Sequence, residues 1–214
     1  MMKEYHFFLQ LLEQEKKDAV VNYVITLLDT KQITIEELYL EWLSRSLLEF
    51  RCKVDDKEVC IWKEHYRTSM IRTIIECTYP YILERLKTTP KIPFKVVVLT
   101  PTQEYHEIGA LIITNLMVLL GLDAAFIGAN TPKEEIISAV RAFSPDYVAM
   151  SVTNPYNLVV TKKITDELKE TFPTLKVILG GQAFQNYHTN IDFKVDYIMN
   201  QYQDLLDFVH EVKA

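Results

Sequence analysis

The sequence predicts an α/β fold in which an N-terminal helical bundle precedes a doubly wound, five-stranded parallel sheet of order 2-1-3-4-5. Three observations predict it. All five glycines lie after residue 100, and only Pro80 and Pro90 of the eight prolines precede residue 91. The first part therefore has helical periodicity with almost no turn chemistry, whereas the second alternates short apolar runs with helical patterns, as βα repeats do. Lys95-Val96-Val97-Val98-Leu99, bounded by Pro93 and Pro101, is a β-branched run suited to a strand buried on both faces.

Taken in order, helices are expected over Tyr5 to Leu12, about Lys16 to Asp29, Ile35 to Phe50, and Lys57 to Leu86. Thr34-Ile35-Glu36-Glu37 has the spacing of a capping box, and Asp55 or Asp56 is placed to cap the last of these helices. Pro80 is expected to end or kink that helix, and residues 88–93 read as a linker. A helical domain over residues 1–89 and a sheet domain over 90–214 follow. Strands are expected at Lys95 to Thr100, Ala124 to Ile127, Tyr147 to Ser151, Lys176 to Leu179 and Tyr197 to Met199. Helices fill the intervals at Ile108 to Leu120, Lys133 to Phe143, Leu158 to Phe172, a short turn after Gly181, and Gln201 to Val212. Thr131-Pro132 supplies an N-cap and a first-turn proline for the second of them.

With 214 residues and 49% hydrophobic content, the chain can bury a real core. Its longest apolar stretch, Ala110 to Leu122, is too short to span a bilayer and is broken by Thr114 and Asn115. The first residues lack a signal-peptide pattern, so a soluble, cytoplasmic protein with no membrane association is expected. Cys52, Cys60 and Cys77 are odd in number and form no Cys-x-x-Cys pair, which leaves them as helix-packing residues. A net charge of -6 without a basic block argues against direct nucleic-acid binding.

The chemistry concentrates at the sheet's switch point. In the predicted order, strands one, three and four lie side by side, and ligands of open α/β sheets bind outside their carboxyl ends. The loops leaving these strands carry Glu104-x-His106-x-x-Gly109, then Ser151-x-Thr153, then Gly180-Gly181. Each has a plain reading: a solvated loop histidine, a turn or N-cap, a tight strand-to-helix turn. Together they place a potential metal ligand beside two small hydroxyls and a backbone that a ligand can approach closely. One protein nitrogen does not hold a bare metal ion firmly, so a metal at His106 would arrive inside a macrocycle, a corrin or a haem. No phosphate-binding glycine motif is present, and Ser151 lacks the flanking glycines of a nucleophile elbow.

These three motifs, in this order and at this spacing, resemble the cobalamin-binding domains whose pattern is Asp-x-His-x-x-Gly, Ser-x-Leu/Thr and Gly-Gly. The resemblance covers the whole sheet half. It implies cobalamin as cofactor, His106 as lower axial ligand to cobalt in place of the dimethylbenzimidazole base, and Glu104 as its hydrogen-bond partner. The detached nucleotide tail would run beside Gly109, Ser151, Thr153, Gly180 and Gly181. The helical half resembles the cap that precedes such sheets in corrinoid carriers and in cobalamin-dependent sensors. Glu64-His65 resembles the pair that the sensor branch sets over the upper corrin face, and glutamate at 104 is also similar to that branch. Light-sensing members carry a tryptophan where this chain has Val54, a departure from the light-sensing pattern. Trp62 is expected in the core.

The expected function is thus a non-enzymatic cobalamin-binding sensor or regulator that signals through its helical cap. Its partner would be an output protein of unknown identity or a second copy of itself. The alternatives are a corrinoid methyl carrier of a methyltransferase system and a haem-binding variant of the same fold.

Overall fold

The computed structural model describes residues 2–50, 57–185 and 192–213. Val54, Asp55, Asp56 and Cys52 lie outside them. The chain divides into two compact units, residues 1–87 and 88–214.

The first unit is built from α1 (Met2–Glu13), α2 (Lys17–Asp29), α3 (Ile35–Glu37) with α4 (Arg45–Leu48), and α5 (Lys57–Leu86). The Thr34 capping box forms: the Thr34 hydroxyl accepts from Glu37 N–H, and the Glu37 carboxylate accepts from Thr34 N–H. Between α3 and α4 the helix continues as a wide π-type stretch, Leu38–Ser44. It presents Trp42, which is buried against Tyr5 and Phe8 of α1. Pro80 does not end α5, which runs through it to Leu86. A proline removes one ladder hydrogen bond, and here the surrounding turns are anchored by fully buried Ile74, Thr78 and Ile82. Trp62 and Cys77 are exposed, contrary to the packing roles the sequence suggested. In a helix this long, the apolar positions alone do not reveal which face packs.

The second unit is a five-stranded parallel sheet of order β2-β1-β3-β4-β5. In chain order it comprises β1 (Ile92–Pro101), α6 (Ile108–Leu119), β2 (Leu122–Thr131), α7 (Lys133–Phe143), β3 (Tyr147–Ser151), α8 (Leu158–Thr171), β4 (Lys176–Gly180), α9 (Gln182–Gln185), β5 (Tyr197–Met199) and α10 (Tyr202–Lys213). Strand alternation assigns the faces. Val97, Leu99, Val148, Met150, Val177 and Leu179 pack with Ile136 and Val140 of α7 and Ile164 and Leu168 of α8. On the opposite face, Phe208 of α10 meets the rings of Tyr147 and Tyr197 edge-on.

β1 and β2 are longer than the sequence suggested. β2 continues past Gly128, which takes a positive φ of 139° where the register with β1 slips. A glycine at such an irregularity bends an edge strand without ending it, so β2 runs past the Ile127 end expected from the sequence. Thr131 is consequently the last residue of β2, and Pro132 occupies the N-cap position of α7 without a side-chain cap. The Thr131 hydroxyl donates to Gly128 O instead.

Candidate functional site

The loop leaving β1 at Pro101 turns through Gln103, whose φ of 69° is left-handed, and delivers Glu104 inward and His106 outward. Glu104 is completely buried, whereas the His106 side chain is half exposed. Glu104 Oε2 accepts from Thr153 N–H at 3.0 Å, Asn154 N–H at 2.9 Å and Asn157 Nδ2 at 3.1 Å. Glu104 Oε1 faces His106 Nδ1 in a short contact and accepts from His106 N–H at 3.3 Å.

Burial pushes the Glu104 carboxyl upward, but the bonds from His106, Asn154, Asn157 and Thr153 outweigh it and hold it down at about 2. At neutral pH a carboxylate is therefore fixed against one nitrogen of an imidazole. That arrangement sets the proton on Nδ1 and the lone pair on Nε2, the tautomer of a histidine that ligates a metal through Nε2. Among the described residues no three His, Cys, Asp or Glu side chains converge as a bare-metal site.

The other sheet-half candidates gather at the same edge. Ser151 pairs in register with Gly180. A Cβ on Gly109 would stand 3.6 Å from Ser151 Oγ, so α6 opens directly against the end of β3. Gly181, at φ 106°, lies against β3's exit, where an added Cβ would stand 2.4 Å from Val152 O, and Gly180 would meet Met199 O at 2.7 Å. The Gly180-Gly181 pair is thus required by backbone packing at this edge, which also brings it beside Ser151. Gly181→Ala is expected to lower stability by roughly 2 kcal/mol or more, combining left-handed strain with a backbone clash. Urea unfolding measures it, and a loss below about 0.5 kcal/mol would contradict the reported packing.

Thr153 contributes through its backbone N–H rather than its hydroxyl in these contacts. Glu64 and His65 belong to α5 of the first unit, where both are exposed. Sequence reasoning missed Asn157, whose buried amide also donates to Gln103 O. The Asn154-Pro155 pair announces a turn, but no local spacing announces that Asn157 reaches a carboxylate 53 positions earlier. Thr100 and Asn130, which hold the Glu104 backbone, were missed for the same reason.

Residues 94–205 match the model of the B12 binding domain family. The chain is 26% identical over 122 residues to the methanol–corrinoid protein of Methanosarcina barkeri, an alignment covering 57% of this chain and 45% of that protein. This chain therefore spans less than half the length of that relative. Among solved structures, the monomethylamine corrinoid protein of Methanosarcina barkeri superposes with a TM-score of 0.78 at 13% identity, covering 99% of both chains. A cobalamin-binding protein from Desulfitobacterium hafniense gives 0.50 at 16%, covering 97% of this chain and 98% of that one. The methanol:cobalamin methyltransferase complex of Methanosarcina barkeri gives 0.51 at 17%, covering 99% of this chain and 80% of that one. At these identities the structural likenesses show the fold.

The residues present suit the cofactor that the family takes. A single imidazole backed by a buried, fully satisfied carboxylate offers one nitrogen ligand, which is what a macrocyclic metal needs and a bare ion would find insufficient. With an α/β unit of this strand order and a family match across most of it, the chain belongs to the B12 binding domain family and takes cobalamin as its cofactor.

Proposed function

We propose that this chain is a corrinoid carrier that holds cobalamin through His106 and presents the upper face of the corrin to methyltransferase partners. The observation that carries the ligation is the buried Glu104 carboxylate clamped against His106 Nδ1. Cobalamin supplies a cobalt centre that accepts and returns a methyl group. The protein's part is to bind and orient: Glu104 keeps the His106 proton on Nδ1, which would leave Nε2 to hold the cobalt. Gly109, Ser151, Thr153, Gly180 and Gly181 line the edge where the nucleotide tail would lie. The carrier role is supported by the corrinoid proteins to which the chain is similar in sequence and fold.

The second reading is a cobalamin-dependent sensor. It is favoured by glutamate rather than aspartate at position 104 and by the exposed Glu64-His65 pair on α5. Glu64 and His65 would then face the upper axial group.

Protein loaded in turn with hydroxocobalamin, methylcobalamin and adenosylcobalamin separates the two. A carrier is expected to accept a methyl group from methyl iodide after reduction and to keep one oligomeric size with every upper group, in the dark and under green light. A change of size with the upper group or with illumination would move the assignment to the sensor. A Soret band in protein produced without added corrin would count against both.

A further inference from the structure

The histidine loop is held from two sides, and only one of them is the carboxylate clamp. We propose that Asn130, at the end of β2, is a positioning residue that sets where His106 stands, acting through the backbone of Gln103 and Glu104. This rests on the reading of His106 as the cobalt ligand.

Asn130 makes three contacts with the β1 exit. Its Oδ1 accepts from Gln103 N–H at 2.7 Å. Its own N–H points at both Glu104 O and Thr100 Oγ1, each at 2.9 Å. The buried Thr100 hydroxyl in turn donates to Glu104 O, and Thr102 Oγ1 adds a bond to Thr131 O at 3.1 Å. The backbone around Glu104 is therefore tied to β2, while its carboxylate is tied to the exit of β3. His106 follows two residues later, suspended between these anchors.

Two conformational facts explain why asparagine stands there. Asn130 and Gln103 both sit in the left-handed region, at φ 50° and 69°. Such residues are held there by their surroundings, and asparagine tolerates the region better than other side chains with a Cβ. Asn130 thus supplies the backbone turn and the acceptor for Gln103 N–H together, across 27 positions of sequence. Positional error matters because a metal–nitrogen bond tolerates only about 0.2 Å. A loop free to relax at Gln103 would leave the carboxylate clamp of Glu104 as the main hold on the position of Nε2.

The test uses the whole 214-residue chain loaded with cobinamide, which carries no dimethylbenzimidazole of its own, and reduced by one electron. Electron paramagnetic resonance then reads the splitting from a single histidine ¹⁴N on cobalt. Asn130→Ala removes the acceptor, Asn130→Gly removes it while keeping the left-handed backbone easy, and Asn130→Asp keeps an acceptor oxygen. The proposal expects the alanine and glycine variants to lose most of the nitrogen-split signal at unchanged folded fraction, with aspartate restoring it. Full splitting in the alanine and glycine variants overturns it, as does an aspartate variant no better than alanine. A loss only in proportion to unfolded protein, read by circular dichroism, also overturns it. Wild-type protein without the splitting would instead overturn the ligation by His106 itself.

Discussion

Alanine at position 106 is expected to abolish nitrogen ligation of cobalt while leaving the fold in place. The His106 side chain is half exposed, but it supplies one of the bonds that hold the buried Glu104 carboxylate, so its removal should cost roughly 1–3 kcal/mol of unfolding free energy. Glu104 keeps its three donors on Oε2 and the His106 backbone N–H on Oε1 in the variant, so the loop retains most of its anchors. Visible and paramagnetic resonance spectra of the variant loaded with cobinamide, which brings no nitrogen base of its own, should show cobalt without a nitrogen ligand. Cobalt ligation identical to wild type would sink the axial assignment, whatever the affinity.

Glu104→Gln should do comparable damage by another route. Three donors converge on the Oε2 position, so the amide oxygen of glutamine must settle there and its NH2 must take the Oε1 position. That NH2 then opposes the His106 backbone N–H and donates to Nδ1. The proton moves to Nε2, and the lone pair needed by the metal is lost. Loss of such a partner to a ligating histidine typically costs about 10–100-fold in affinity, and the opposed donors cost about 1–3 kcal/mol of stability. Titration with cobinamide, which lacks the nucleotide tail, reads the first term without tail contacts, and urea unfolding reads the second.

The same carboxylate gives the stability a defined acid dependence. Glu104 is held at about 2 in the folded protein against 4.5 for a free side chain, so the unfolded chain takes up the proton first as pH falls. Its contribution, about 3 kcal/mol, is complete above pH 4.5 and drains away as pH drops from there toward 2. The glutamine variant should lack this component. An unfolding free energy with the same slope over that window in both proteins would show that Glu104 is not the group responsible.

Much of the second unit was legible because its determinants are local. The run at Lys95 to Leu99, the helix opening after Gly109 and the alternation of strand and helix patterns are each read within a dozen residues, and they led to the observed order β2-β1-β3-β4-β5. The local signals failed at Gly128 and Pro80, where a partner strand or a buried helix face carries the element on through the glycine or the proline. They failed also at Trp62, whose hydrophobicity says nothing of which way the helix turns it.

The sequence by itself determined the residue types of the candidate site and their order: Glu104 and His106 two apart, Ser151 and the glycine pair at strand ends, a pattern whose resemblance to the cobalamin-binding domains named the cofactor. Only the tertiary structure decided how the histidine is held. Asn130, Asn157 and the backbone N–H groups of Thr153 and Asn154 reach Glu104 and its loop from other strands. Hydrogen bonds of that kind depend on where parallel strands end relative to one another, a register set by packing of the whole sheet and written in no single stretch of the chain.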